Sequence, residues 1–476
     1  MATMMLEFDD TLKPMLEPLR DLLKETQAQV DRGRALGREA EYESFEGRLV
    51  ERLAAVERSA HQATLAALDV DAPQIAINGE PHVRVLRDQT TYMSQAGEVP
   101  VMHSLYRRVG ERNSPTVDPI ALRAGAIDGV WLPGAARDIA LLLAQGTSRE
   151  AEATARELGR LPYSRSSFER VGHAVGEAYV SQHQHVEQIL IEAYPVPREA
   201  HSVSAALDRV TIPMEEPRPR PRGRPRKGAP KKPIERVYRM AYCGTVTLHD
   251  AEGNAIHTIR YGTMPEGDAA ALCEALASDV LAIRRKRRGL PVSLLSDGAP
   301  EMCSRLDEAF DAETFEGAPI HKLIDFWHVI EKLSAAAHVI ARKDDAPLIV
   351  ARWKLSLLNR SKAREQILDE LVASGRDNVR VGDERPVHDA ITYLTNNAER
   401  MDYASARRNK LPIGSGNVEA TCKSLVGVRM KRPGSRWKTD TGEHILHLRA
   451  LVLSDRWTDA MHITLRPART RIRVAA

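Results

Sequence analysis

The sequence predicts an α/β fold with a large all-helical insertion, preceded by a mainly helical N-terminal region. The chain has 476 residues, more than one ordinary hydrophobic core accommodates, so two to four domains are expected. Hydrophobic residues make up 43% of the chain, which is enough to build those cores. Near residue 200 the apolar pattern changes from helical spacing to alternating strands and helices.

The first two segments differ in their apolar pattern. Residues 1–75 are predicted to be helical, because Leu16 and Leu19 begin a series of leucines at helical spacing. Residues 76–130 are predicted to contain short strands around Gly97. This N-terminal part serves either DNA contact or assembly.

The next segment, residues 131–198, resembles a helix-turn-helix DNA-binding region. It contains three predicted helices, near 135–145, 148–158 and 164–182. The last helix of such a unit enters the major groove, which would place Arg165 and Arg170 against DNA. A plain three-helix bundle is the alternative interpretation.

Residues 199–328 are predicted to form the first part of an α/β core. The predicted strands are 203–212, 237–248, 255–261, 291–296 and 320–324, with helices at 266–287 and 300–310. Three meandering strands followed by helix, strand, helix and strand is the order of an RNase H-like fold. Residues 329–412 then predict an all-helical insertion, and residues 413–476 supply C-terminal helices of the core and a basic tail.

Three acidic residues lie where strand or helix ends could converge. Asp208 lies inside an apolar strand, where a carboxylate is costly unless it is paired or bound to metal. Asp297 ends the fourth strand, and Gly298 after it permits a tight turn. Glu419 lies in the first turn of a helix after a glycine-rich stretch. Three such carboxylates can hold two Mg²⁺ ions around a phosphate, although the chain has 65 acidic residues and each acid alone is more often a turn or a helix cap.

The order and context of these motifs resemble the DDE transposases of bacterial insertion sequences. The resemblance is most specific to the ISKra-type group, which is related to Mutator-like transposases, and it covers roughly residues 200–455. The motifs that carry it are Asp208, Ser296-Asp297-Gly298, Asp325-Phe326-Trp327-His328 and the glycine-rich stretch 414–419 that ends at Glu419.

The resemblance implies an RNase H-like catalytic core in which Asp208, Asp297 and Glu419 bind two Mg²⁺ ions, with Mn²⁺ as a substitute. It also implies that Asp325 and His328 form an accessory catalytic pair. The alternative for that pair is a helix N-cap and a satisfied helix histidine.

Basic residues follow the third acid. The resemblance places them beside Glu419, where they would bind the phosphates of the scissile strand: Lys423, Arg429, Lys431, Arg432 and Arg436. The alternative is a solvated basic helix face.

A proline- and arginine-rich loop at 216–233 interrupts the core. Its centre resembles an AT-hook, a peptide that lies in the minor groove of A·T-rich DNA: Arg222, Gly223, Arg224, Pro225, Arg226 and Lys227. A general phosphate-binding or solubilising loop is the alternative.

Composition excludes several classes. The four cysteines are spread singly, so neither a zinc knuckle nor a disulfide framework is indicated. No apolar run is long enough to span a bilayer, and the protein is expected in the bacterial cytoplasm with the nucleoid. The expected function is cleavage and transfer of DNA strands at terminal inverted repeats, by a homodimer or larger assembly acting on double-stranded DNA. An RNase H-like nuclease and a non-catalytic DNA-binding regulator are the alternatives.

Overall fold

The structure, a computed structural model, describes residues 7, 9–35, 39–215, 237–265, 267–311, 315, 319–467 and 470–474. The AT-hook-like loop predicted at 216–233 lies outside the described residues. The chain divides into two compact units, one formed by Met1–Gln182 with Thr458–Ala476 and the other by His183–Trp457.

The described residues form both strands and helices. The strands are β1 (Gln74–Ile77), β2 (Glu80–Ser94), β3 (Gly97–Arg108), β4 (Ser202–Met214), β5 (Val237–His249), β6 (Ala255–Thr263), β7 (Val292–Ser296), β8 (Ile320–Ile324) and β9 (Ile472–Val474). The α-helices are α1 (Lys13–Arg34), α2 (Tyr42–Ala66), α3 (Pro119–Ala124), α4 (Pro133–Gln145), α5 (Ser148–Glu157), α6 (Arg165–Val180), α7 (His183–Ala193), α8 (Ala269–Lys286), α9 (Pro300–Ala309), α10 (Phe326–Ile340), α11 (Ala346–Asn359), α12 (Ala363–Ala373), α13 (Pro386–Asn396), α14 (Tyr403–Arg408), α15 (Gly416–Thr421), α16 (Val428–Met430), α17 (Thr439–Leu453) and α18 (Trp457–Thr464). Short 3-10 turns occupy Asp10–Leu12 and Ala398–Arg400, and a π-helical segment occupies Cys422–Gly427.

The first unit combines a helical hairpin, a small sheet and a helical bundle. Helices α1 and α2 pack against each other, and β1, β2, β3 and β9 form an antiparallel sheet in the order β3-β2-β1-β9. The strands predicted around Gly97 are present, but they are longer than predicted and form one hairpin of 15 and 12 residues. Polar residues in the exposed half of β2 hide its apolar alternation. The C-terminal strand β9 pairs with β1 of this unit, although residues 413–476 were predicted to supply core helices and a basic tail.

Helices α4, α5 and α6 confirm the three helices predicted between 135 and 182. Thr147 and Glu150 form a capping box that begins α5. Helix α6 packs closely on α4, since a Cβ atom at Gly172 would lie 2.4 Å from Leu143 Cδ2. The helical arrangement is therefore present, and DNA contact by it remains a prediction.

The second unit is built on a mixed five-stranded sheet in the order β6-β5-β4-β7-β8. Strand β4 runs antiparallel to β5 and parallel to β7, while β5 and β6 are antiparallel and β7 and β8 are parallel. All five predicted strands of the core are confirmed to within a few residues. Helix α7, which precedes the sheet, was not predicted.

Different helical segments cover the two faces of this sheet. A Cβ atom at Gly244 would lie 2.9 Å from Leu272 of α8, whereas one at Gly262 would lie 2.8 Å from Leu425 of the π segment. Gly262 pairs with Cys243, which neighbours Gly244 along β5. Side chains alternate between faces, so α8 covers one face and the π segment covers the other.

Residues 326–408 confirm the all-helical insertion, with α10 to α14 in succession. Helix α10 packs on α11 and α13, and the buried Trp353 and Leu357 belong to its neighbour α11. Among the described residues, no helix combines the length and the apolar composition that crossing a bilayer requires.

Candidate active site

Asp208 lies at the point where the buried part of β4 ends. The strand is buried from Ser202 to Leu207 and opens at Asp208. Its pairing with β7 extends only from Val203 to Ala206, so the side of β4 that faces β7 is unpaired where Asp208 lies. Asp208 pairs with Cys243 and therefore points to the face that the π segment covers. There the Cys422 thiol donates a hydrogen bond to Asp208 Oδ2 at 3.5 Å.

Asp297 directly follows β7, the parallel neighbour of β4. Its Oδ1 accepts a hydrogen bond from the amide of Ala299 at 2.8 Å, which closes the turn into α9. Gly298 has φ 87°, a conformation that disfavours other residues, so the predicted glycine-dependent turn is confirmed. The hydroxyl of Tyr393, from α13, donates to the Asp297 carbonyl at 2.6 Å and joins the helical insertion to this turn.

Glu419 lies in the first turn of the short helix α15. The Ser415 hydroxyl lies 3.5 Å from its Oε1, and the Glu419 side chain is 40% exposed. The π segment follows at once and covers the sheet face to which Asp208 points. Such π segments are rare and are frequently found at functional sites. One carbonyl in it, that of Ser424, accepts a hydrogen bond from Arg449 Nε at 2.8 Å.

Asp325 directly follows β8, and both of its carboxylate oxygens accept hydrogen bonds from the protein. Its Oδ1 caps α10 by accepting from the amides of Trp327 at 2.7 Å and His328 at 3.0 Å. Its Oδ2 accepts from the Ser415 hydroxyl at 2.8 Å and from the Ser415 amide. Burial, at 1% exposure, favours the neutral acid, but the neighbouring His328 imidazole and then these hydrogen bonds outweigh it and hold the pKa of Asp325 well below its usual range.

His328 lies between two carboxylates. Its Nδ1 is 3.4 Å from Asp325 Oδ1 and 3.9 Å from Glu419 Oε1, and it makes no hydrogen bond within the described residues. The Asp325 carboxylate raises the pKa of His328 to about 9, so without metal the imidazole is a cation at neutral pH. Ligand atoms of Asp325, His328 and Glu419 all lie within 4.8 Å of one another.

The strand ends bring Asp208, Asp297 and Asp325 to one edge of the sheet. Ala206 pairs with Leu295 and Ser296 with Ile324, so the three acids hold equivalent register positions, Asp208 within β4 and the other two directly after β7 and β8. Within the part of the chain that the structure describes, Asp208 and Asp297 do not join a group of potential ligands as tight as the one around Glu419. Two ions spaced roughly 4 Å apart do not require such a group, because each ion takes its own ligands.

The donor set fits a hard divalent cation. Among the described residues, neither Asp208 nor Asp297 pairs with Lys, Arg or His, and Glu419 faces only His328. The nearest arginine along the chain, Arg209, is paired with Glu301 at 2.8 Å instead. Carboxylate oxygens left without a counter-ion are the ligands that Mg²⁺ prefers. By contrast, the four hydrogen bonds of Asp325 occupy both of its oxygens.

The predicted basic residues near Glu419 differ in their exposure to solvent. Lys423 and Lys431 are exposed, and Arg432 and Arg436 are half-buried. Arg429 is only 5% exposed, and its guanidinium lies 5.0 Å from the ring centre of Trp437. This placement favours a packing role for Arg429 over direct contact with phosphate.

Trp437 anchors this basic loop to the sheet. Its amide donates to the Pro213 carbonyl at 3.1 Å, and its carbonyl accepts from the Glu215 amide at 2.8 Å. The basic loop that contains Trp437 is therefore attached beside the C-terminal end of β4.

Arg165 and Arg170 both lie exposed on α6, in the first unit. Arg165 pairs with Glu169 at 3.6 Å and Arg170 with Asp128 at 3.3 Å. Surface pairs of this kind are weak, so both side chains remain available to a stronger anion.

Comparison with known proteins identifies no family. No protein-family model matches the sequence, and no curated protein matches it. The chain shows structural similarity to the Drosophila P element transposase strand transfer complex, at 12% identity and a TM-score of 0.34, covering 69% of this chain and 92% of that chain. A likeness at this TM-score establishes neither a shared family nor a shared activity.

Sequence reasoning missed three side chains around the site. Ser415 and Tyr393 bind Asp325 and the turn at Asp297, and nothing in the sequence signals those distant contacts. Trp327 is 54% exposed, and the Lys354 ammonium lies 4.2 Å from its ring centre. A large exposed aromatic residue between Asp325 and His328 was a signal in the sequence, because aromatic faces stack on bases.

Proposed function

We propose that the protein is a DNA transposase of the DDE type, which cleaves and joins DNA strands at terminal inverted repeats with the help of Mg²⁺. The observation that carries the proposal is the equivalent register of Asp208 and Asp297 along the adjacent parallel strands β4 and β7, with the segment after Glu419 bonded to Asp208 through Cys422. None of the three proposed ligand acids pairs with lysine or arginine among the described residues, and carboxylates placed near one another repel, so added cations would stabilise them.

The topology supports the same proposal. Strand order β6-β5-β4-β7-β8, with a meander followed by parallel strands, is the order of an RNase H-like fold. The helical insertion separates the second and third acids, as in the group that the motifs resemble. This support is independent of the low structural likeness reported above.

In the proposed chemistry, Asp208, Asp297 and Glu419 would hold two divalent ions, which supply charge stabilisation and activate the attacking oxygen. Asp325 would act through Ser415, by fixing the turn that leads into Glu419. His328, as a cation, would offset part of the negative charge before substrate arrives. The chain forms no covalent intermediate in this scheme, and catalysis comes from positioning and charge.

The proposal assigns DNA contact to several segments. Lys423, Lys431, Arg432 and Arg436 would bind phosphates near the carboxylates. The loop at 216–233 would lie in the minor groove, and helix α6 would read the repeats through Arg165 and Arg170. Both ends of an element must be processed together, so a homodimer or larger assembly is proposed.

The decisive experiment is cleavage of a labelled duplex that carries the element's ends, with Mg²⁺ or Mn²⁺. Wild type is compared with Asp297→Asn and Glu419→Gln, which keep shape and remove charge. Asp369→Asn, an exposed acid on α12, is the matched control. We expect nicking at the repeat boundary by wild type and the control, and at least a hundred-fold loss in both site variants, whose DNA binding survives.

Each other outcome points elsewhere. Cleavage that persists in both site variants would place the active site away from these acids. Cleavage without joining to target DNA would favour an RNase H-like nuclease. Tight binding without cleavage by wild type under either metal would favour a non-catalytic regulator.

A further inference from the structure

A second cationic site lies at the opposite end of the five-stranded sheet from the carboxylates. A cavity of about 600 Å³ opens where β4, β7 and β8 begin, beside the C-terminal ends of α8 and α14. Among the described residues, six basic side chains and no acidic one line it: His201, Arg287, Arg288, His321, Arg408 and Lys410. They come from four separate stretches of the chain, so no single motif announces the site.

Among the described residues, no acid neutralises the arginines and the lysine of this cavity. Arg288, Arg408 and Lys410 are exposed, and none of them pairs with an acid in the described part of the chain. Arg287 donates to the Pro197 carbonyl at 2.7 Å, a neutral acceptor. His201 Nε2 lies 3.3 Å from the Asn409 carbonyl oxygen, which is also neutral.

The simplest alternative is that these residues only balance the two helix C-termini. Each helix end carries roughly half a negative charge, so α8 and α14 together contribute about one. Arg287, Arg288, Arg408 and Lys410 contribute four positive charges. The surplus is therefore about three charges, before the two histidines are counted.

The shape of the positive region favours a polyanion over a small anion. The cavity is open, and its basic side chains lie mostly at the surface. Further basic residues adjoin the lining residues in the sequence, Arg284 and Arg285 at the end of α8 and Arg407 at the end of α14, and two of them, Arg285 and Arg407, are exposed. A polyphosphate chain uses such an extended series of charges, whereas a single small anion uses two or three of them.

We propose that this cavity binds the sugar–phosphate backbone of duplex DNA, as a second anchoring site remote from the carboxylates. The choice of DNA as the polyanion rests on the proposed function. The strand β7 connects the two sites, and the six residue steps from Pro291 to Asp297 span about 20 Å. That distance corresponds to about six base pairs along a duplex, so the cavity holds DNA that flanks the reacting phosphate.

The test is DNA binding without metal, in EDTA, measured by fluorescence anisotropy on a labelled duplex. The variant replaces Arg288, Arg408 and Lys410 with Gln. We expect affinity at about 100 mM salt to fall at least ten-fold, and the slope of log K against log salt to become shallower by about 2–3. The charge-keeping variant R288K/R408K/K410R should restore both values.

The matched control removes the same charge elsewhere on the unit. Lys343, Arg376 and Arg380 are exposed and have no ion pair among the described residues, so their replacement with Gln should change the slope by less than 1. An unchanged slope in the cavity variant, or an equal change in both triple variants, would overturn the inference. Competition by inorganic pyrophosphate that abolishes the difference between wild type and variant would assign the cavity to a small phosphate ligand and also overturn it.

The outcome is separable from that of the proposed function. If wild type cleaves no DNA with either metal while the cavity variant loses affinity and slope, the DNA-binding cavity stands and the transposase proposal falls. If cleavage depends on Asp297 while the slope is unchanged, the reverse holds.

Discussion

Replacing Asp325 by Asn tests whether this residue positions Glu419 or binds metal itself. The amide keeps one oxygen, which can still cap α10 and accept from the amides of Trp327 and His328. Its nitrogen then faces the Ser415 amide, a donor against a donor, at a position where Ser415 is 3% exposed. The Ser415 hydroxyl can rotate to accept, but the Ser415 N–H is left without a partner.

The cost follows from those contacts. A hydrogen bond to a charged acceptor contributes about 1.5–3 kcal/mol, and a buried donor left unsatisfied costs about 1–3 kcal/mol. Relief of repulsion with Glu419 offsets part of this. We expect Asp325→Asn to lower the free energy of unfolding by about 2–5 kcal/mol. The backbone bond from Phe326 to the Ile413 carbonyl, at 2.9 Å, remains and keeps the turn attached.

The assay is urea unfolding in metal-free buffer, together with hydrogen exchange of the peptide that covers residues 413–421. Exchange there should accelerate in Asp325→Asn. Ser415→Ala, which removes only the hydroxyl contact, should show a smaller loss of stability. If Asp325→Asn keeps wild-type stability and exchange without metal but binds Mn²⁺ more weakly, the positioning role is refuted and Asp325 is a ligand.

Three further predictions concern other parts of the second unit. Arg456→Met should lower the free energy of unfolding by about 3–5 kcal/mol, because it removes the cation that lies beside the buried Asp279. Chemical unfolding measures this loss. Burial raises the pKa of Asp279 to about 7, so the folded state holds the proton more tightly and wild-type stability should fall as pH rises from about 4 to 7. Gly298→Ala should cost about 1–3 kcal/mol and reduce cleavage, since φ is 87° and a Cβ atom would lie 2.9 Å from the Tyr393 hydroxyl. Trp327→Ala should weaken binding of DNA with unpaired ends by about 1–3 kcal/mol in a titration, if its ring stacks on a base.

Each of these has a control and a contrary result. For Arg456→Met, the penalty should deepen above pH 7, and a penalty independent of pH would contradict the account of Asp279. Gly375 also has positive φ but open space around it, so Gly375→Ala should lack the effect on cleavage. Leu348→Ala, at another exposed apolar residue, is the control for Trp327→Ala, and equal binding by both variants would exclude stacking.

Local pattern was sufficient to predict the five strands β4 to β8 and most helices. Strand β7 is a buried run that Asp297 directly follows, and Gly298 marks the turn after it. Such signals depend on neighbours in the sequence, which is why β4 to β8 were predicted to within a few residues. In β2, where polar residues face solvent, the same reasoning underestimated the strand length.

The order of motifs along the chain was likewise sufficient to select Asp208, Asp297 and Glu419 as a candidate site. Whether they converge depends on strand register, since a one-residue shift would turn Asp208 to the face that α8 covers. Register is decided by packing between distant segments, such as Leu425 against Gly262. The pattern of residue types cannot specify it alone.

Tertiary structure alone decided the partners of the other charged residues. It engaged both oxygens of Asp325, buried Arg429 against Trp437 and paired β9 with β1 of the first unit. It also assembled His201, Arg288, His321 and Arg408 into one basic cavity. The physical reason is that hydrogen bonds, packing and charge interactions act through space, often between residues as far apart in the chain as Asp325 and Ser415 or Ile75 and Val474. The sequence by itself determined which side chains were available for that chemistry.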